Sequence, residues 1–590
     1  MGTDEARSTK SDKGAETRYP KRRFEVETAA QAFLELLSLR GIDYFFGNAG
    51  TDFASLVDAF ARRQSEGKEC PRPLAIPHEI PLVSMAHGYY LATGRPQAAM
   101  VHVGIGTANG LGALIQAHRA RIPMLLCAGR TSITEEGHPA SRDVFIHWAQ
   151  ECFDQAGMVR EYVKWDYELR STTNMEAVVD RAMAMAMAEP RGPVYLMLPR
   201  EVLATPMKEV VFDAQPRNDL PTFYPEPEKI RQTAELLKDA EFPLIITSAV
   251  GRSSRAVSAL TELAEAAGAG IVSFNPEYMN FPTDHPLHLG FLPQPPLSKA
   301  DLVLVVDCDV PWYPSKTKPN DSATIIQMGV DPLYSAYPVR SFPSDLTIQA
   351  EPEIALPELT RVLKGIKDRA DEARIQARRK EIERMHTEML RGWQEKEAEA
   401  ARTKPLDLRW VSYNMKKFLP EEAIVVNERD NGLHPYTSQQ PGSYFCTPHA
   451  GYLGWGFGAA LGIKLAAPDR TVVAAVGDGC YMFGVPSACH FVAHANQLPI
   501  LVVVYNNQCY QAVKGATRAV YPDGWAVKTD QFPLSELQPV VHFEKICEAF
   551  GGYGERVEDP EQIGPALERG LKAVQEEGRQ ALINVICQHP

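Results

Sequence analysis

What this 590-residue chain lacks narrows its class first. Its 10 cysteines include no C-x-x-C pair, which removes the usual zinc-ribbon and dithiol-redox patterns. Several instead lie inside apolar runs, as Cys127 and Cys308 do, the habit of buried free thiols in a reducing compartment. No uninterrupted apolar stretch reaches about 18 residues and the N-terminus is polar and charged, so neither a membrane span nor a secretory signal is evident. A basic excess is missing too: the net charge of -13 disfavours nucleic acid and anionic membranes as partners. Nor does a G-x-G-x-x-G open a helix with an acidic residue about 20 positions on, as a dinucleotide-binding unit requires. The expectation is a cytoplasmic protein that handles a small molecule, with room for a local basic pocket.

Large apolar residues are almost absent from residues 1–24, which read as a disordered tail. The remaining length exceeds what one core supports and predicts several units. Apolar runs at 42–46, 98–103, 122–128 and 194–198 alternate with amphipathic stretches, which is α/β grammar with a mostly parallel sheet. They make a first unit, 25–205. A proline-rich join at 216–227 leads to a second, 228–365, with strands expected at 244–247, 302–306 and 324–328. Residues 366–404 shift to Glu, Lys, Arg, Ala and Gln and read as a solvated linker helix. A third unit, 405–590, runs from a strand at 424–426 to one at 581–586. The fold class expected is α/β, with three doubly wound parallel-sheet domains.

Within the third unit the β-branched run 471–476 ends in Gly477-Asp478-Gly479, and the apolar run 498–505 ends in Asn506-Asn507. In an open parallel sheet, ligands collect at the carboxyl ends of strands, and glycines let the backbone approach a phosphate. The Asp478 carboxylate, the Asn507 amide oxygen and the main-chain carbonyl of Cys509 make an all-oxygen set, which suits hard Mg²⁺ with diphosphate oxygens completing its shell. Gly-Asp-Gly alone also makes ordinary turns. With the Asn pair at this spacing, the segment resembles the cofactor motif of the thiamin-diphosphate-dependent 2-oxo acid decarboxylases and acetolactate synthases. The resemblance spans nearly all of the chain after the tail, and its three units match that family's pyrimidine-binding, central and diphosphate-binding domains.

Other residues take on meaning from the resemblance. Glu79, in Pro77-His78-Glu79, matches the family's activating glutamate. A carboxyl group in a mostly apolar pocket suits proton sharing with the cofactor's aminopyrimidine, although a first-turn glutamate also favours a helix dipole. His102 precedes a glycine-rich turn, Gly104 to Gly112, and resembles the active-site histidine of benzoylformate decarboxylase, a natural proton shuttle; the alternative is a hydrogen-bonded core histidine. Thr51, in Gly47-Asn48-Ala49-Gly50-Thr51, resembles a substrate-carboxylate-binding serine there, or caps a helix starting near Asp52. Leu453 matches the apolar residue that props the cofactor into its bent shape. His434 is a secondary acid-base candidate. Arg130 pairs either with an acidic substrate or with a structural carboxylate.

Two departures stand out. The second histidine expected in the central domain is missing from Asp309-Val310-Pro311-Trp312-Tyr313-Pro314. Trp148-Ala149-Gln150-Glu151 also differs from the Phe-Gln-Glu usual in acetolactate synthases. No flavin fingerprint is present, and FAD is not predicted. The resemblance implies a lyase or transferase in which a 2-oxo acid loses CO2 and the resulting carbanion/enamine is protonated to an aldehyde or ligated to a second carbonyl compound. Alternatives are an acetolactate-synthase-type carboligase, a 2-hydroxyacyl thioester lyase, or a cofactor-binding homologue without turnover. A homodimer, or a tetramer built as a dimer of dimers, is the implied assembly.

Overall fold

Three all-parallel sheets organise the computed structural model, which describes residues 20–68, 71–428 and 440–589. The first has the spatial order Arg72–Ala75, Tyr44–Gly47, Ala98–Val101, Leu125–Arg130, Val194–Pro199, Asp166–Glu168. The third runs Tyr444–Cys446, Ile424–Glu428, Val472–Gly477, Leu501–Asn506, Ala581–Ile586, Tyr553–Val557. Counted along the chain within each sheet, both read second, first, third, fourth, sixth, fifth. Between them in the chain comes the central sheet, with the spatial order Gly270–Ser273, Pro243–Thr247, Leu302–Val306, Thr324–Gly329, Leu346–Gln349. Helices cover both faces, so strands such as Val194–Pro199 and Leu501–Asn506 are buried along their whole length.

This shared order fixes where ligands can collect. In both outer sheets the first strand lies between the second and the third, so the connections diverge and leave a crevice at the carboxyl ends of the first and third strands. Asn48 and His102 flank that crevice in the first sheet. Glu428 and Asp478 flank it in the third.

After the second strand of each outer sheet comes a helix, Glu79–Thr93 in one and Trp455–Ala466 in the other, and the two cross with their backbones in contact. A Cβ on Gly88 would lie 2.0 Å from the Ala459 carbonyl oxygen, and one on Gly462 would lie 2.0 Å from that of Met85. Trp455 Nε1 donates to His87 Nδ1 at 3.2 Å across the crossing, and burial lowers His87 to about 3, leaving a neutral acceptor.

Three sequence expectations need correction. Lys21–Glu25 belongs to a strand paired antiparallel with Glu209–Asp213, so the expected tail 1–24 overreaches at its end. Main-chain pairing orders it with little apolar surface, helped by Phe24 against Phe212. Gly104 to Gly112 is no turn: helix Val103–Arg119 starts directly after His102, and the glycines give close packing. The charged helix Arg369–Ala400, closed by an Asp368/Asp371 capping box, is not solvated all round, since Ile375, Arg378, Ile382 and His386 are buried. Arg378 donates to the carbonyls of Leu237 and Ala267 at 3.0 and 3.2 Å.

Candidate active site

Glu79 begins its helix one residue after the cap, where His78 Nδ1 accepts the Ile80 N–H at 3.2 Å. Its side chain is buried, 6% exposed, and both oxygens are engaged. Asn48 Nδ2 donates to Oε1 at 2.9 Å, and Asn109 Nδ2 donates to Oε2. Gly106 and Gly110 make the space, since Cβ atoms there would come within 3.1 Å of Oε1 and 3.3 Å of the Glu79 Cβ. A carboxyl group thus sits at a switch point inside a cradle of side-chain amides.

His102 caps the first turn after the strand Ala98–Val101 and is half-buried. Its Nδ1 is 2.6 Å from Asp52 Oδ1, and Gln150 Nε2 lies 3.2 Å from its Nε2. The Asp52 hydrogen bond raises the imidazole above its ordinary value, against an opposing effect of burial. Thr51 starts a short 3-10 turn, Thr51–Phe53, that lacks a side-chain cap; its hydroxyl lies 3.1 Å from Nε2 of the buried His147. Burial and the Arg200 guanidinium lower His147. Arg130 pairs with Glu151 at 2.7 Å and Glu168 at 3.3 Å, and donates to the Cys152 carbonyl at 2.9 Å. This places Arg130 in an internal ion-pair network of the first domain.

The third sheet supplies the other half. Asp478 opens the helix Asp478–Phe483 directly after Val472–Gly477, and its oxygens accept the N–H groups of Gly479 and Gln508 at 2.8 and 2.6 Å. Burial raises its carboxyl to about 6, against the lowering effect of those N–H groups. Asn507 points its Oδ1 toward the Cys509 N–H at 3.2 Å, whereas Asn506 turns away and donates to Asn584 Oδ1 at 3.1 Å inside the core. Gly479 has to be small, because a Cβ would lie 2.6 Å from the Tyr510 ring. A cavity of about 700 Å³ is lined by Leu453, Gly477, Asp478, Gly479, Asn507 and Cys509.

Two further groups line that cavity: Glu428, in a stretch where the resemblance implied cofactor and substrate contacts, and His449, which sequence reasoning missed. Glu428, 1% exposed, accepts N–H groups from Gly454, Trp455 and Gly456 at 2.5, 3.0 and 2.6 Å, and burial raises it to about 7. His449 reaches the central domain, with Nδ1 2.8 Å from Asp309 and Nε2 2.8 Å from the Asn275 carbonyl. Burial opposes a charge there, but Glu277 and Asp309 outweigh it and hold His449 up to about 10. Asp309 belongs to the very stretch where a central-domain histidine was expected, and a histidine meets it from the third domain instead. His434 falls in 429–439, outside the described residues.

The donor set fits a hard divalent cation carrying a diphosphate: one buried carboxylate, one amide oxygen and a main-chain carbonyl, at a strand end cleared by glycine. Among the described residues no group of three or more His, Cys, Asp or Glu is placed to hold a metal, so any cation here relies on Asp478 with neutral oxygens. Thr51, Glu79, His102 and Arg130 are not among the residues lining the cavity. Within one chain, the amide-cradled carboxyl group and the oxygen-donor cluster are therefore separate half-sites. Asp52 had no sequence signal beyond its place after Thr51, where an Asp reads as helix-start chemistry.

Comparison with known proteins gives a consistent picture. Residues 27–158 match the thiamine pyrophosphate enzyme N-terminal TPP binding domain, 230–359 the central domain and 430–585 the C-terminal TPP binding domain. The chain is 26% identical over 594 residues to sulfoacetaldehyde acetyltransferase of Castellaniella defragrans, covering 95% of this chain and 93% of that one. It is 27% identical over 507 residues to benzoylformate decarboxylase of Pseudomonas aeruginosa, covering 83% and 88%. In fold it is similar to benzoylformate decarboxylase from Polynucleobacter necessarius, with a TM-score of 0.77 at 20% identity over 96% and 99% of the two chains.

Proposed function

Since the chain belongs to the thiamine pyrophosphate enzymes, lyases and transferases that process small molecules, we propose that it decarboxylates a 2-oxo acid and releases the aldehyde. Thiamin diphosphate, when bound, supplies the electron sink that lets the carboxylate leave as CO2. Asp478, Asn507 and the Cys509 carbonyl would hold Mg²⁺ and through it the diphosphate. Leu453 would support the bent cofactor from the cavity wall, and Glu79 would share a proton with its aminopyrimidine. Thr51 is suited to donate its hydroxyl to the substrate carboxylate. His102 holds and moves a proton at Nε2.

The observation that carries this reading is His102: an imidazole held by a carboxylate, within electrostatic reach of Glu79. A group of that kind favours ending the reaction by proton delivery. The separate half-sites favour a working site assembled from two copies, one giving Glu79 and the other Asp478, as a homodimer or a pair of dimers. Exposed apolar side chains on the segments that carry each half, Ile105, Phe145 and Phe153 on one and Phe483, Val513 and Trp525 on the other, would be covered in that assembly. A second reading, transfer of the two-carbon or acyl fragment to another acceptor, draws support from the near full-length similarity to an acetyltransferase.

The test is CO2 and aldehyde release from a panel of aliphatic and aromatic 2-oxo acids with Mg²⁺ and thiamin diphosphate, with and without an aldehyde acceptor. Aldehyde in step with CO2 supports decarboxylation, and a ligated product supports transfer. Absence of CO2 from every acid, with the cofactor bound, overturns the decarboxylase reading.

A further inference from the structure

The turn after the strand Ala98–Val101 is built around one buried carboxylate. Asp52 is 2% exposed and uses both oxygens: Oδ1 accepts from His102 Nδ1 at 2.6 Å, and Oδ2 accepts from the Val103 N–H at 3.2 Å. Val103 has a φ of 34°, in the left-handed region that a β-branched residue avoids. The same carboxylate therefore holds the imidazole and anchors the strained backbone unit directly after it.

Two glycines admit this arrangement. A Cβ on Gly129 would fall 1.7 Å from Asp52 Oδ2, and one on Gly50 would fall 2.1 Å from His102 Nδ1. Three segments distant in sequence, around 50, 102 and 129, thus leave space for one Asp and one imidazole. The far side of the ring is equally defined. Gln150 Nε2 donates to His102 Nε2 at 3.2 Å, which fits a neutral ring carrying its hydrogen on Nδ1. The other end of that amide, Gln150 Oε1, is buried and has no hydrogen-bond partner. Turning the amide over would offer that oxygen to a proton on Nε2, so the site is furnished for both protonation states.

We propose that Asp52 is the positioning residue of His102: it fixes the ring with Nδ1–H on the carboxylate, so that Nε2 is the nitrogen that takes up and gives back the proton. The inference rests on the proton role given to His102 under Proposed function. In the transfer step the Nε2–H bond breaks, its electron pair stays on Nε2, and the proton passes to the reacting substrate, while Asp52 remains a carboxylate throughout. The charged groups acting on the ring are Asp52 from the 51–53 turn and Glu79 from the helix Glu79–Thr93; Gln150 is neutral. Asn at position 52 would keep one acceptor: with its NH2 toward the ring it favours the opposite tautomer, and with its NH2 toward the Val103 N–H it sets donor against donor.

The experiment uses the full chain, wild type and Asp52→Asn. His102 is titrated by its rate of modification with diethyl pyrocarbonate across pH, read at the peptide by mass spectrometry, and the pH profile of kcat is measured alongside. Loss of the carboxylate should lower the His102 midpoint by about one pH unit or more, with the acid-base limb of kcat moving in the same direction. An unmoved midpoint in folded Asp52→Asn overturns the proposal. A midpoint that moves while the kcat profile does not leaves the pairing standing and removes the proton role of His102, which is the reading under Proposed function. Should Asp52→Asn fail to fold, Asp52→Ser removes the charge while keeping an acceptor for the Val103 N–H, and the same outcomes apply.

Discussion

Replacing Glu79 with Gln turns one carboxylate oxygen into an NH2 group and takes away the exchangeable proton. In the structure Oε1 accepts from Asn48 at 2.9 Å and Oε2 accepts from Asn109, so the new NH2 meets an amide donor whichever way it turns. Asn109 Nδ2 is otherwise 3.4 Å from His78 Nε2, a weak partner, so its amide is free to rotate and present an oxygen. The stability loss is then bounded by one unsatisfied buried donor, about 1–3 kcal/mol, too little to unfold a three-domain chain. Loss of proton sharing reduces the chemical step about 10²- to 10⁴-fold, or roughly 3–5 kcal/mol of activation free energy. CO2 release at saturating cofactor gives the rate, calorimetric titration with thiamin diphosphate gives affinity, and thermal unfolding gives stability. E79Q retaining more than about a tenth of the wild-type kcat, with cofactor bound, would refute the assignment of Glu79.

Further expectations are equally direct. Asp478→Asn removes the one charged oxygen of the donor cluster and should weaken Mg²⁺-dependent cofactor binding about tenfold or more; equal affinity at limiting Mg²⁺ argues against the site. Gly88→Ala pushes a methyl group toward the Ala459 carbonyl, 2.0 Å from the ideal Cβ, and should cost about 1–3 kcal/mol in urea unfolding, whereas an unchanged midpoint contradicts the packing. Glu428 is raised by burial to about 7 from the usual 4.5, so its favourable contribution is complete below about pH 4.5 and is lost as pH rises through 7. Wild type should therefore lose up to roughly 3 kcal/mol relative to E428Q between those limits. Parallel pH dependences of unfolding in the two proteins would rule that out.

Much of this was legible in the chain because it is local. The β-branched run before Gly477 and the apolar run before Asn506 can only be buried parallel strands, and their ends give the position of Asp478 and Asn507 to within a residue or two. Glu79 at a helix start was likewise readable from the small-residue run between Ser84 and Ala92. The residues that sequence missed act through partners distant in the chain. Asp52 and His102 are separated by 50 positions, and nothing in Thr51-Asp52-Phe53 distinguishes a histidine holder from a helix cap. His449 finds Asp309 across 140 positions and a domain boundary. Arg130 carried a charge that sequence left open between substrate and structure, and only the fold brings Glu151, Glu168 and the Cys152 carbonyl around it. Gly104 to Gly112 misled for a different reason, since glycines are weak helix formers and their use here, close approach to Glu79, Tyr452 and Cys152, depends on tertiary neighbours.

The crossing of Glu79–Thr93 over Trp455–Ala466 behaves as a weld. Where main chain rests on main chain at Gly88 and Gly462, sliding by even one turn would drive larger side chains into a carbonyl, and a close-packed interior transmits that resistance without yielding. The outer two sheets are thus clamped at a preset gauge, with their crevices at a fixed spacing before any ligand arrives. In the two-copy assembly proposed above, each copy would therefore offer its two half-sites as one rigid unit, and the span open to a ligand would be set by how the copies dock.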